Sequence, residues 1–166
     1  MAWAPTVLAE EPSKEYLIKA AFIYNFTQFI EWPADSFASP DAPFVVGVVG
    51  HDPFNGVLDQ AFADKVVGDR KVVIRYFDSI GVAEPCQLLF ISRSEERPLV
   101  NVFKRKFGAA AVLTVGEFDS LLTIGGGIRF FAENNKIRFE ISLDATDRAR
   151  LKISSKLLKL AKVVTK

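Results

Sequence analysis

Residues 44–50 read FVVGVVG, an unbroken apolar run in which four of the seven positions are valine. A strand with one wet face alternates apolar and polar residues, whereas a continuous β-branched run marks a strand buried on both faces. Such a strand needs a neighbour on each edge and a covering layer on each face, which directs the chain to a sheet sandwiched between helices.

The flanking segments fit that demand. The turn-rich PADSFASPDAP precedes the run, and HDPFNGVLDQAFA follows it, with Asp52 placed to cap a helix and Pro53 at the first helical position. RKVVIRYF, CQLLFIS and AAAVLTV read as three further strands. Between the last two, SRSEERPLVNVFKRKF reads as a helix, and Ser92 and Glu95 have the spacing of a capping box. Strands alternating with helices imply right-handed crossovers and a parallel sheet. GIRFFA and KIRFEIS break the rhythm: Asn134 and Asn135 between them tolerate the positive φ of a tight hairpin. Ile137, Phe139 and Ile141 alternate with polar residues, which places this strand at an edge. Asp144 is expected to cap a short helix, and SSKLLKLAKVV to form the last one, along which Lys152, Lys156, Lys159 and Lys162 recur. Lysines there offset a helix dipole without any need for a membrane surface. The expected fold is a single three-layer α/β domain with a mostly parallel sheet, one antiparallel edge strand at about residues 136–142, and helices on both faces.

The first helix is predicted from a Ser13 cap to a stop before Pro33. At 100° per residue Ile18, Phe22, Phe26 and Phe29 form one stripe, with Ile23 and Ile30 beside it. Burying the three phenylalanines contributes about 5 to 9 kcal/mol in gross transfer terms. Leu17, Ala21 and Tyr24 lie on the far side, an apolar surplus that a second copy or a partner would cover.

A chain of 166 residues is the size of one domain. Its 21 basic and 20 acidic residues leave a net charge of +1, without the field that drives nonspecific nucleic-acid binding, so no nucleic-acid partner is expected. Cys86 is the only cysteine, which excludes an internal disulfide and a Cys-rich zinc site; a buried thiol is its expected state. No apolar run approaches the roughly 20 residues of a membrane span. Residues 1–12, MAWAPTVLAEEP, have no basic residue and a broken apolar stretch, so they are expected to be a flexible stub ahead of a domain over residues 13–166. A remnant of a removed export signal is one origin for the stub, a frayed terminus the other.

In open α/β sheets ligands sit beyond the carboxyl ends of strands, so GHDP after the first strand and SRSEE after the third are the loops to examine. His51, Asp52, Ser92, Arg93 and Ser94 are the candidate ligand-binding residues there. His51 is the only histidine, and a histidine beside a carboxylate suits general-base work, yet no nucleophile is assigned by spacing and Asp52 is accounted for as a cap. Arg93 between two serines at a helix start suits a phosphate or carboxylate. IGGGIRF resembles a phosphate loop but is not followed by a helix, so no cofactor or metal is expected.

Taken in order, KAAFIYNFTQFIEWP, VGVVGHDPF, LLFIS, VLTVGE, GGGIRFFAENNKIRFEISLDA and LKISSKLLKLAKVV resemble the YfiR-like family of exported bacterial proteins, from about Glu15 to Val164. The resemblance implies a periplasmic, often dimeric protein with a helix-flanked sheet and no catalytic activity. It implies restraint of an inner-membrane diguanylate cyclase through that enzyme's periplasmic part, which lowers cyclic di-GMP and biofilm formation, and release by an outer-membrane lipoprotein. The family's redox control through cysteine pairs does not carry over, because Cys86 has no partner. Three classes are therefore weighed: a regulator acting by protein contact, a small-ligand sensor using the strand-end crevice, and a hydrolase or transferase, the last lacking an assembled site.

Overall fold

The computed structural model describes residues 13–165, so the expected N-terminal stub lies outside the described residues. Ser13 begins the fold by accepting a hydrogen bond from the Tyr16 backbone, and α1 runs over Lys14–Phe29. There follow β1 (Ile30–Glu31), β2 (Phe44–Val49), α2 (Val57–Phe62), β3 (Val66–Val67), β4 (Arg70–Phe77) and β5 (Leu88–Ile91). The remainder is α3 (Glu96–Phe107), β6 (Leu113–Gly116), α4 (Leu121–Ile124), β7 (Ile128–Glu133), β8 (Lys136–Ser142), α5 (Leu143–Arg148), β9 (Lys152–Ile153), α6 (Ser155–Leu160) and β10 (Lys162–Val164).

Eight strands form one sheet in the order β10-β8-β7-β6-β5-β2-β4-β3, and β1 and β9 make a separate two-stranded piece. β2 lies inside the sheet, parallel to β4 on one edge and β5 on the other, and all six of its residues are buried. Its side chains divide by parity. Phe44, Val46 and Val48 join the core under α1 and α2, while Val45 and Val49 join the core under α3 and α4. This is the three-layer α/β arrangement that the valine run demands. Gly47 sits on the α3 side, where a Cβ would stand 2.8 Å from Leu89 Cδ1 and 3.2 Å from Cys86 Sγ; only glycine lets those side chains close over the strand.

Several details differ from the sequence reading. The helix after β2 starts at Val57, because Asn55 and Gly56 take left-handed φ of 50° and 87°, and the Asp52 carboxylate caps only a local turn by accepting from Phe54 N at 2.8 Å. No capping box closes at Ser92: residues Arg93–Glu95 make a 3-10 turn, and Glu95 is turned inward, where it accepts from Ile80 N at 2.6 Å. β8 pairs antiparallel with β7 over the Asn134–Asn135 turn, whose φ values are 52° and 63°, but it is not the edge, since β10 adds parallel to it. The last helix stops at Leu160 because the free edge of β8 offers Lys162–Val164 a ladder of hydrogen bonds, and Val163 and Val164 favour extended backbone. Lys162 therefore lies in a strand, Lys152 lies in β9 opposite Glu31 of β1, and Asp144 sits in the first turn of a helix capped by Ser142.

The buried face of α1 is rotated from the predicted stripe. Lys19, Ala20, Ile23, Phe26 and Thr27 are buried, while Ile18, Phe22 and Phe29 are half-buried at its margin. Phe26 is packed between Phe22, Phe130 and Phe139 with centroid distances of 4.9–6.4 Å. No helix among the described residues is long and apolar enough to cross a membrane. Phe26→Ala is expected to lower stability by about 3 to 5 kcal/mol, and Leu17→Ala, at an exposed position of the same helix, by no more than about 0.5 kcal/mol. Urea denaturation of the two variants checks which face of α1 is core.

Candidate functional site

The loops after β2 and β5 do meet at the carboxyl ends of their strands. The His51 backbone N–H donates to Ser94 Oγ at 3.0 Å, the Ser92 and Ser94 hydroxyls are 2.9 Å apart, and Ser94 N–H donates to Ser92 Oγ. Gly50, at a φ of 89°, makes the approach possible, since a Cβ there would stand 2.5 Å from Ser94 Oγ. The serines are thus used to lock two loops together. The exposed His51 imidazole has no hydrogen-bond or ionic partner among the described residues, and the Asp52 carboxylate is turned onto its own loop. A general base needs an orienting partner and a nucleophile in reach. The His51 imidazole has no such orienting partner among the described residues, the nearby Ser92 and Ser94 hydroxyls bond each other, and no group of His, Cys, Asp and Glu there could hold a metal.

Arg93 points elsewhere. It lines a cleft of about 420 Å³ together with Glu15, Lys19, Glu117, Asp119 and Arg129, in which α1, the carboxyl end of β6 and the start of β7 meet. Its floor is a buried ion pair. Lys19 Nζ donates to Glu117 Oε2 and, at 2.8 Å, to Glu15 Oε2, while Tyr16 Oη donates to Glu117 Oε1 at 2.8 Å. Lys19 and Glu117 are each less than a tenth exposed. The ammonium also lies 4.7 Å from the Tyr16 ring centroid. The hydrogen bond from Lys19 holds the Glu15 carboxyl below its usual range, and burial, with Glu117 as acceptor, pushes the Tyr16 hydroxyl up. On the outer wall Arg129 Nε bonds Glu140 at 2.7 Å and its Nη1 bonds Asp119 at 3.1 Å.

Sequence reasoning reached Arg93 but missed Lys19, Glu117, Tyr16 and Arg129. One signal was available: Lys19 interrupts the apolar repeat beside Ala20 and Ile23, and a charge on the core side of a helix needs a buried partner.

Of the three residues assigned to a contact surface on α1, Leu17 and Ala21 are exposed, whereas Tyr24 is half-buried against Phe62 of α2, with centroids 5.7 Å apart.

The family model described as YfiR/HmsC-like matches residues 16–162, from the first turn of α1 into β10. The chain belongs to the YfiR/HmsC-like family. That family is a regulatory, non-catalytic one, and membership points to periplasmic regulation of cyclic di-GMP signalling. Among solved structures, a conserved domain protein from Vibrio cholerae O1 biovar El Tor matches at 13% identity and a TM-score of 0.52, over 74% of this chain and 55% of the other. The chain thus spans about half the length of that relative, and the likeness is one of fold. No curated protein matches the chain.

Lys19→Met removes the cation and leaves Glu117 buried beside Tyr16, so it is expected to cost about 3 to 5 kcal/mol. Adding Glu117→Leu is expected to recover most of that loss, because a well-packed apolar pair carries no desolvation penalty. A double-mutant cycle in urea measures both.

Proposed function

We propose that this chain restrains a membrane-bound diguanylate cyclase by contact with the enzyme's periplasmic part, and so lowers cyclic di-GMP and biofilm formation. The observation that carries the reading is membership of the YfiR/HmsC-like family over nearly the whole described domain. The chemistry of the strand ends supports it, since the serines there join loops and the lone histidine has no orienting partner among the described residues. A contact regulator acts by favouring one of two cyclase conformations, and its effect is bounded by its differential affinity for them. A ~100-fold preference corresponds to about 2.7 kcal/mol. An outer-membrane lipoprotein that captures the chain would relieve the restraint by mass action.

The same reading includes a homodimer. Leu17 and Ala21 leave an apolar strip on the outer side of α1, and Leu17 is 47% exposed. Tyr24 takes part through its edge only, since its ring is committed to Phe62. Sensing of a small ligand at the strand ends is the second reading, and the open cleft bordered by Arg93 favours it.

Deletion of the gene in its host is expected to raise cyclic di-GMP, and the exported protein is expected to retain a diguanylate cyclase in a pull-down. Unchanged nucleotide together with no membrane partner would return the function to ligand sensing. In light scattering the chain is expected to have the mass of a dimer at micromolar concentration. Leu17→Glu should weaken that dimer by tenfold or more, while Gln28→Glu, at another exposed position of α1, leaves it within about twofold; equal effects would place the contact elsewhere.

A further inference from the structure

Two clefts of about 420 Å³ open at opposite ends of the sheet, and they differ in chemistry. At the carboxyl ends, Lys19 and Arg129 are already bonded to carboxylates. The second cleft lies at the amino ends of β5 and β6, between the segment entering β5 and the end of α3. Ala83, Pro85, Phe107, Ala110, Ala111 and Val112 supply an apolar lining. Small-molecule sites usually enclose about 300 to 1,000 Å³, lined mainly by apolar groups with a few polar ones that set orientation.

The polar groups at this cleft are unequal. Gln87 is committed, its Nε2 donating to the Ser36 carbonyl and its Oε1 accepting from Val45 N, both at 2.7 Å. Glu84 also lines the cleft, where its carboxylate is paired with Arg75 at 3.3 Å. Lys106, half-buried in the last turn of α3, makes no ion pair among the described residues, and Lys104 and Arg105 beside it add to the positive charge there. Cys86 borders the cleft, and burial pushes its thiol up to about 12, so it stays protonated and acts as an apolar wall rather than a nucleophile. Offsetting the α3 dipole explains the three basic residues equally well. It does not explain why one of them rims an apolar hollow of ligand size.

We infer that this cleft binds a small apolar anion, an aromatic or branched organic acid whose body rests on Phe107 and the alanines and whose acid group meets Lys106. The inference does not depend on which membrane protein the chain restrains, and a failure of the cyclase reading would leave it intact.

The test uses two fluorescent probes with the same aromatic body: 8-anilino-1-naphthalenesulfonate, which carries an acid group, and uncharged N-phenyl-1-naphthylamine. The native chain is expected to bind the sulfonate saturably at one site. Lys106→Gln should weaken the sulfonate at least fivefold and the uncharged probe less than twofold. Lys104→Gln, equally basic but outside the lining, should change either by less than twofold. Ala111→Trp, which fills the hollow, should weaken both at least tenfold, with an unchanged thermal midpoint showing that the variant is folded; the Lys106 and Lys104 pair decides the matter without it if it is not. The proposal is overturned by an absence of saturable binding to the native chain, by equal losses in the two lysine variants, or by a folded Ala111→Trp that binds as the native chain does.

Discussion

The burial of β2 on both faces is the constraint from which the rest of the architecture follows. Six residues with no exposed side must have every backbone N–H and C=O paired and every side chain covered. β4 and β5 meet the first requirement by parallel pairing on the two edges. The second divides the molecule into two cores, one under α1 and α2 and the other under α3 and α4. Parallel neighbours need crossovers long enough to hold a helix, so the same pairing that buries β2 also supplies the layers that cover it.

Against that frame the first helix carries more than apolar contact. Phe26 fills the space above β7 and β8, while Lys19, seven residues earlier on the same face, reaches Glu117 beyond the end of β6. A buried charge pair is weak evidence for stability, because desolvation offsets the attraction. Its geometric demand is strong, however: Glu117 takes donors from Lys19 and Tyr16, and those two residues fix the rotation of α1 on the sheet. The rotation turns Leu17 and Ala21 outward and so determines which surface is left for another chain.

The two clefts give the molecule distinct ends. The charged one shares its walls with α1, so a partner bound along α1 would border it. The apolar one lies at the far end of the strands, around Cys86 and the last turn of α3. A regulator that works by contact gains from such separation, since a ligand at one end and a partner at the other are coupled only through their effects on shared elements.

The features legible in the sequence were those whose cause spans a few residues. The β2 run, the Ser13 cap and the Asn134–Asn135 turn depend on side-chain period and local φ preference, and the structure has each of them. The order of the longer strands and helices was legible for the same reason, whereas the short β1, β3, α4, β9 and β10 were not. The fragments that resemble the YfiR-like family, from about Glu15 to Val164, span nearly the same residues as the family match over 16–162. Other features were decided only when distant segments came together. Lys19 and Glu117 are 98 positions apart, and no local pattern says which carboxylate a core-facing lysine will meet. Glu95 has the spacing of a capping partner but bonds Ile80, because the loop after β4 lies within reach once β4 and β5 flank β2. Residues 162–164 continue a helical lysine pattern, yet the unpaired edge of β8 makes them a strand. Local preference sets what a segment can become; the backbone groups and charges that folding leaves beside it decide what it does become.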